Sequence, residues 1–177
     1  MGTEAGLKFV KPMECTAVAN IPGDATKWLY EVKLDGYRCC AVVRNGKAYL
    51  YSRYGNAWPQ RLPAITRALA QIGEPLILDG EIVAVDRNGV PSFQELQNWQ
   101  STRLQIVYYV FDLLHRGTRD LRRIPIEERK AELEDLAKLF EEPVRLSATL
   151  DVKLSTLVQS RSSSSAAVSP KRRRSRD

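Results

Sequence analysis

The stretch that decides the fold is W-L-Y-E-V-K-L-D-G-Y-R, residues 28–38. The side chains of its first half alternate between two sets with a period of two, which predicts a β-strand. Asp35 and Gly36 then form a turn signal, because aspartate tolerates a tight bend and glycine accepts a positive φ. A second strand-like run follows over 37–44. The sequence therefore predicts two antiparallel strands joined by a tight turn.

The lysine in this strand requires an explanation. Alternation places Glu31 and Lys33 on one face, and Arg38 lies just beyond the turn. Burying an ammonium group in an apolar strand costs several kcal/mol unless the charge is paired or neutralised. In one interpretation Lys33 lies in water at a sheet edge, where lysine discourages edge pairing. In the other, partial burial and positive charge from Arg38 or a metal lower the lysine pKa and make the amine a nucleophile.

Length and composition indicate one folded domain, with or without a tail. The chain has 177 residues, of which 44% are hydrophobic and 27% charged, as in ordinary globular proteins. No apolar run approaches the roughly 18 residues of a membrane span, and the N-terminus lacks the pattern of a signal peptide. The cysteines Cys15, Cys39 and Cys40 make a poor disulfide framework. We therefore predict a cytosolic protein with no membrane partner.

The C-terminal segment differs in composition from the rest of the chain. The formal net charge is +6, and residues 160–177 carry five of those charges. This segment is rich in serine and arginine, has no periodicity and contains almost nothing large and apolar, so we predict that it is disordered. Its basic side chains can hold a nucleic-acid backbone through salt-dependent attraction, or can simply be solvated.

Further strands and helices follow from local patterns. Asn45-Gly46 is a two-residue hairpin signal, so the run 47–52 should be a third strand that continues an antiparallel meander. The run 104–114, L-Q-I-V-Y-Y-V-F-D-L-L, predicts another apolar strand. Apolar residues at helical spacing predict helices over 62–72 and 124–140.

Three residues in the apolar strands are candidates for a site. The run 75–86 predicts a central, buried strand with Asp79 and Glu81 on one face. Buried carboxylates require a cation, a hydrogen-bonded ligand or a metal, so both an internal ion pair and a ligand site are open interpretations. Phe111 is either a core residue or the wall of a pocket that stacks a base. With a single histidine, His115, a His-based metal site is excluded and phosphate chemistry would depend on Lys, Arg, Asp and Glu.

The order of the motifs is more specific than any one of them. Each lies at a strand or a strand end: Lys33-x-Asp35-Gly36-x-Arg38, Ser52-Arg53-x-Gly55-Asn56, Asp79-Gly80-Glu81 and Tyr108-Tyr109-Val110-Phe111-Asp112. Supporting segments are K-P-M at 11–13, F-Q-x-L-Q-N at 93–98 and L-R-R-x-P-x-x-E-R-K at 121–130. The series resembles the adenylation domain of ATP-dependent DNA ligases, within the covalent nucleotidyltransferases. It looks closest to the ligase module of bacterial end-joining ligases.

The resemblance covers residues 8–159 and leaves 160–177 as a separate tail. It implies an α+β fold in which mostly antiparallel sheets are flanked by helices, as in an ATP-grasp-like nucleotidyltransferase domain. It also implies ATP and Mg²⁺ as cofactors, DNA with nicked or broken ends as the partner, and a location in the bacterial cytosol.

The resemblance also implies a role for each motif residue. Lys33 would attack the α-phosphate of ATP, release pyrophosphate and become a lysyl-AMP. The nucleotide-binding residues would be Glu31 on the adenine, Arg38 and Arg53 on the ribose or phosphates, Glu81 on the ribose or a metal, and Phe111 stacked on the base. Asp35, Gly36 and Asp79 would support them. AMP would then pass to a 5′-phosphate at a nick, where a 3′-hydroxyl displaces it.

The C-terminal part departs from the family pattern. That pattern continues with a strand of the form E-G-x-V-x-K, a K-x-K strand and an OB-fold domain, and the sequence contains none of them. We therefore expect a truncated or frame-shifted ligase gene, with an adenylation domain that is incomplete at its C-terminus. Such a chain is expected to lack full ligation activity unless a partner supplies the rest.

Two other functions are kept as alternatives. A capping-type guanylyltransferase or RNA ligase shares Lys33-x-Asp35-Gly36, but Glu31 and the segments at 11–13 and 93–98 argue against it. A non-catalytic fragment that binds nucleotide, or nucleic acid through its basic tail, is the other alternative.

Overall fold

The computed structural model describes residues 6–13, 28–58, 62–98, 104–150 and 168–172. Its strands are β1 (Trp28–Val32), β2 (Tyr37–Arg44), β3 (Lys47–Ser52), β4 (Leu76–Val85), β5 (Gln105–Arg116), β6 (Arg119–Asp120), β7 (Val144–Leu146), β8 (Thr149–Leu150) and β9 (Val168–Arg172). Its helices are α1 (Pro63–Gln71), α2 (Phe93–Gln97) and α3 (Ile126–Leu136), and a 3₁₀ turn follows at Ala137–Leu139. The elements confirm the expected α+β class.

A six-stranded sheet forms the centre of the molecule. Its order is β3-β2-β4-β5-β6, with β7 paired to β5. The pairing of β5 with β7 is parallel, and the other pairings are antiparallel. β4 lies between β2 and β5, and every residue of β4 except Glu81 is buried. This confirms the predicted central strand.

One face of β4 belongs to the main apolar core. We call it the helix face, and its side chains are those of Leu76, Leu78, Ile82 and Ala84. They share one cluster with residues of the three helices, among them Ile65, Leu69, Leu96, Leu133 and Leu136. Gly80 lies on the same side, where a Cβ atom would come within 2.6 Å of the Tyr108 ring. The glycine is therefore required by close packing against β5.

The opposite face of β4 is mixed. Its side chains are those of Ile77, Asp79, Glu81, Val83 and Val85, because successive residues of a strand point to opposite sides. Ile77 belongs to one small apolar cluster, and Val83 and Val85 belong to another. The two carboxylates lie between these clusters. We call this surface the polar face.

β1 lies in a second sheet, of order β8-β1-β9, and does not pair with β2. The predicted hairpin at Asp35-Gly36 and the meander that begins with it are therefore wrong. Residues 29–31 are buried in succession, so β1 does not have one buried face and one solvent-exposed face. A Cβ atom on Gly36 would come within 2.2 Å of the Ile82 carbonyl oxygen, so this glycine lets the connection after β1 lie against β4. The pattern that indicated a tight turn reflects close backbone packing.

Residues 168–172, inside the predicted disordered tail, form β9 antiparallel to β1. The prediction of disorder is wrong for these five residues, and the rest of 160–177 lies outside the described residues. The physical reason is that β1 offers backbone donors and acceptors on its second edge, and a ladder partner needs no apolar composition. Pro170 pairs with Tyr30 on the edge strand of this sheet, where proline is tolerated.

The other predicted elements are confirmed with shifted ends. Asn45 and Gly46 both have positive φ and join β2 to β3 in a hairpin. The helix predicted over 62–72 is α1, and the helix predicted over 124–140 is the shorter α3 with its 3₁₀ turn. Cys39 and Cys40 are buried, as expected for core residues. Among the described residues, no helix has the length and apolarity needed to cross a membrane.

Candidate active site

Residues from four parts of the chain meet on the polar face of β4. Arg38 is the second residue of β2, Phe111 belongs to β5, and Lys33 lies in the connection that follows β1. Arg38 contacts both Asp79 and Phe111, and the charges of Arg38 and Lys33 act on Glu81. The structure therefore brings together residues that are up to 78 positions apart in the sequence, from Lys33 to Phe111.

Arg38 is held in place by Asp79. Its Nε donates to Asp79 Oδ1 and its Nη2 donates to Asp79 Oδ2, each at 2.7 Å. Asp79 is 5% exposed, so the guanidinium supplies the counter-charge that this buried carboxylate needs. The guanidinium carbon also lies 4.4 Å from the centroid of the Phe111 ring. An internal ion pair thus accounts for Asp79, while the Arg38 side chain keeps 23% of its surface exposed.

Glu81 is compensated less completely. Burial raises its pKa from about 4.5 to about 7, and the nearby Asp79 acts in the same direction. The positive charges of Arg38 and Lys33 and a hydrogen bond from the Gly36 backbone oppose that shift. A carboxylate in this environment is stabilised by any additional cation that reaches it.

Lys33 is exposed, which fits the interpretation of a lysine in water and not the partial burial of the ammonium group in the other interpretation. The physical reason is that β1 ends at Val32 and Lys33 lies in the irregular connection beyond it. That connection is anchored against β4 by the close approach of Gly36 to Ile82. The side chain is therefore accessible to a ligand while its backbone is fixed beside the carboxylates.

Three other predicted residues lie apart from these contacts. Arg53 is exposed in the turn after β3, where its guanidinium lies 5.1 Å from the Tyr54 ring centroid. Asp35 is exposed in the connection after β1. Glu31 is 3% exposed and forms an ion pair with Lys130 of α3. The adenine-reading role of Glu31 stays a prediction.

Sequence reasoning missed the roles of two cations on α3. The side chains of Arg129 and Lys130 are each 7% exposed, and they form ion pairs with Asp112 and Glu31. Helical spacing was the available signal, because positions 129 and 130 fall on the same stripe as the apolar residues Ile126 and Leu133. Charged residues on a buried stripe require buried partners.

The described residues contain no group of three or more His, Cys, Asp or Glu side chains that could hold a metal ion by themselves. A site that uses one protein carboxylate together with water and substrate phosphates is a different case, and Mg²⁺ commonly binds in that way. Glu81 fits this requirement, because its carboxylate is partly desolvated and Asp79 is already paired with Arg38.

Comparison with known proteins gives consistent matches. A family model described as ATP dependent DNA ligase domain matches residues 12–167. The multifunctional non-homologous end joining protein LigD of Pseudomonas aeruginosa is 44% identical over 128 residues, which are 70% of this chain and 15% of that protein. A probable DNA ligase of Streptomyces coelicolor is 36% identical over 146 residues, which are 76% of this chain and 28% of that protein.

Solved structures match as well. A structure described as mycobacterial DNA ligase D complexed with ATP and MES has a TM-score of 0.79 and 30% identity, over 93% of this chain and 55% of the other. The ligase domain of LigD from M. tuberculosis has a TM-score of 0.72 and 31% identity, over 99% of this chain and 52% of the other. The chain thus spans about half the length of these structures and less than a third of the two curated relatives.

Proposed function

Because this chain belongs to the family of ATP-dependent DNA ligase domains, we propose that Lys33 forms a covalent adduct with AMP. The observation that carries the proposal is the contact of Arg38 with Phe111 beside Glu81, where the charges of Arg38 and Lys33 oppose the rise in pKa that burial causes. Together they offer an amine nucleophile, a carboxylate, a cation and an aromatic ring. Nucleotidyl transfer can use all four, because it requires a nucleophile, charge stabilisation on phosphate and a surface for the base.

In the proposed step, the lone pair on Nζ of Lys33 attacks the α-phosphorus of ATP. A P–N bond forms, the bond from the α-phosphorus to its bridging oxygen breaks, and pyrophosphate leaves with the electron pair. The ammonium proton must leave before the attack, and the exposed position of Lys33 gives water access to it. The covalent adduct replaces one difficult condensation with two easier transfers.

Arg38 would bind the phosphates or ribose of the nucleotide. Asp79 already fixes the orientation of its guanidinium, so little conformational freedom is lost when a ligand arrives. Phe111 would stack on the base, and Glu31 and Arg53 would contact the adenine and the sugar or phosphates. These last three roles follow from the family resemblance.

Glu81 would be the protein ligand of Mg²⁺. When bound, the ion supplies positive charge that offsets the charge on the phosphates. The carboxylate of Glu81 would gain from that ion, since burial disfavours its charged form.

The larger activity is nick sealing in DNA. AMP would pass from Lys33 to a 5′-phosphate, and a 3′-hydroxyl would displace it as the phosphodiester bond forms. The chain spans 15% of the Pseudomonas relative and 55% of the mycobacterial ligase structure, so nick sealing is proposed from the family and not from the matched region alone. DNA as the substrate would place the protein in the bacterial cytosol.

Self-adenylation tests the first step directly. Purified protein is incubated with Mg²⁺ and α-labelled ATP, beside Lys33→Ala and beside a parallel reaction with labelled GTP. We expect protein-bound label with ATP in the wild type and none in the variant. The label should survive denaturing electrophoresis and alkali but not acid, as a P–N bond requires.

Other outcomes would favour the alternatives. Stronger labelling with GTP than with ATP would support a capping-type enzyme. Absence of label in a folded, monodisperse sample would exclude the proposed step for this chain. In that case, DNA binding that disappears on deletion of residues 160–177 would support a role in nucleic-acid binding.

A further inference from the structure

Two adjacent cations on α3 form ion pairs with carboxylates that lie close in the sequence to two residues of the candidate site. Arg129 pairs with Asp112, which directly follows Phe111 on β5. Lys130 pairs with Glu31 on β1, two residues before Lys33. Helix α3 therefore contacts β5, which carries Phe111, through Arg129. Through Lys130 it contacts β1, the strand that precedes Lys33.

The pair between Arg129 and Asp112 is fully coordinated. Arg129 Nε donates to Asp112 Oδ1 and Nη2 donates to Oδ2, both at 2.9 Å, while Nη1 donates to the Ile124 carbonyl oxygen at 2.6 Å. Asp112 Oδ1 also accepts from the backbone N–H of Leu113 at 2.9 Å. Such a two-point contact fixes direction as well as distance. It fixes the backbone of β5 beside Phe111.

The pair between Lys130 and Glu31 joins the second sheet to α3, the helix that packs on β5. β1 pairs with β8 and β9, and no ladder links it to the six-stranded sheet within the described residues. The side chains of Lys130 and Glu31 are 7% and 4% exposed, so their attraction is little screened by water. The ion pair thus fixes β1, and with it the start of the Lys33 connection, relative to α3 and β5.

Stability alone does not explain these two pairs. Replacing a buried ion pair by apolar side chains of similar volume is often neutral or stabilising, so apolar residues would hold the helix equally well. A pair of charges adds a defined distance and direction. Both acidic partners lie within two residues of a candidate site residue, where distance and direction matter most.

We propose that Lys130 and Arg129 are positioning residues: Lys130 sets the place of Lys33 through Glu31, and Arg129 sets the place of Phe111 through Asp112. The inference rests on the proposed function. It assigns different effects to neighbouring residues, because displacing the nucleophile slows the chemical step whereas displacing the base-stacking ring weakens nucleotide binding.

The test is single-turnover self-adenylation over a range of ATP concentrations, with the full chain and each cation replaced by methionine. For Lys130→Met we expect the maximal rate to fall at least ~10-fold, a larger factor than any rise in half-saturating ATP that follows from the loss of the Glu31 partner. For Arg129→Met we expect half-saturating ATP to rise ~10-fold while the maximal rate stays within ~3-fold. Leu69→Ala in α1 is the control, since it removes buried apolar volume from the main core at a helix that carries neither ion pair, and it should change neither parameter per folded molecule.

The proposal is overturned if both methionine variants have their larger effect on the same parameter, or if neither differs from Leu69→Ala. If Arg129→Met fails to fold, Asp112→Asn/Arg129→Met replaces it, because no charge is then left without a partner. If Lys130→Met fails to fold, Glu31→Gln/Lys130→Met replaces it in the hydrogen-exchange measurement described below, because this double variant also leaves no charge without a partner.

A second measurement separates this proposal from the proposed function. Hydrogen exchange of the nucleotide-free protein reports on residues 28–36 whether or not Lys33 takes AMP. We expect Lys130→Met to accelerate exchange in this segment relative to Leu69→Ala. If the wild type takes no label, faster exchange still supports the positioning of β1 by Lys130, and unchanged exchange refutes it.

Discussion

The helix face and the polar face of β4 differ in how they are filled, although both belong to one buried strand. On the helix face, Leu76, Leu78 and Ile82 are each 0% exposed and contact other apolar side chains. On the polar face, Asp79 and Glu81 interrupt the apolar residues. Apolar contacts are satisfied by any neighbour of the right shape, whereas each carboxylate needs a particular partner.

The two carboxylates of the polar face differ in how far nearby positive charge compensates them. Asp79 has a two-point contact with Arg38, while Glu81 has only partial compensation and a pKa raised by burial to about 7. The first arrangement suits a residue that holds a binding group in place. The second suits a residue that receives a cation with the ligand, because its charged form is disfavoured until the cation arrives. The comparison therefore supports the proposed roles, a supporting one for Asp79 and a ligand-facing one for Glu81.

The largest loss of stability is expected on the helix face. Leu78→Ala removes fully buried volume and should lower the free energy of unfolding by about 3–5 kcal/mol. The loss should be the same at pH 5 and pH 8, because no charge is involved. Denaturant unfolding at both pH values measures it. A loss that changed with pH would mean that the two faces are coupled, and the comparison would fail.

A smaller loss is expected when the compensated carboxylate is deprived of its partner. Arg38→Met leaves Asp79 buried and charged, and we expect a loss of about 2–3 kcal/mol at pH 7, less than for a completely buried pair. Asp79→Asn in the same chain should recover most of the stability but not self-adenylation, since Arg38 stays absent. Denaturant unfolding and self-adenylation are measured for Arg38→Met and for the double variant. If Arg38→Met alone were as stable as the wild type, the assignment of the ion pair would be refuted.

Substitution of Glu81 is expected to raise the stability, in contrast to substitution of Arg38. Its folded pKa of about 7 lies above the ordinary value of about 4.5, so between these values the folded protein holds more protons than the unfolded chain. Stability therefore falls as the pH rises from about 4.5 to about 7 and changes no further above that range. Glu81→Gln removes this dependence and should raise the free energy of unfolding at pH 8 by on the order of 1–3 kcal/mol, with no gain at pH 4.

The measurement is denaturant unfolding from pH 4 to pH 8 in metal-free buffer. Glu134→Gln, at an exposed position of α3, is the matched control and should leave the pH dependence of the wild type intact. Equal pH dependence in wild type and Glu81→Gln would show that Glu81 is as well compensated as Asp79.

Much of the polar face could be predicted from the sequence. The run around Asp79 and Glu81 is apolar enough to be a buried strand, and its period of two places both carboxylates on one face. Arg38 was expected near them only through the resemblance, because the local pattern gave no register between β2 and β4. The order of motifs supplied what local periodicity could not.

Other features were hidden for physical reasons. Asp35-Gly36 has the composition of a hairpin turn, but Gly36 serves a close approach to Ile82, and a turn and a close approach favour the same residue. The buried pairs of Arg129 and Lys130 join residues 17 and 99 positions apart, which no local pattern can specify. The strand β9 forms through backbone pairing, to which composition is a weak guide.

The smallest effect is expected for a polar group on β5 that packs beside the helix face. The hydroxyl of Tyr108 lies 3.0 Å from the Cys39 carbonyl oxygen and 3.3 Å from that of Leu78, and the side chain is fully buried. Tyr108→Phe should cost about 1 kcal/mol, because it removes a neutral hydrogen bond, and the two carbonyls belong to strands with other donors. Denaturant unfolding of the variant at pH 7 measures the cost. A loss above about 2 kcal/mol would mean that the helix face also depends on a polar group with a required partner. The difference between the two faces would then be one of charge and not of polarity.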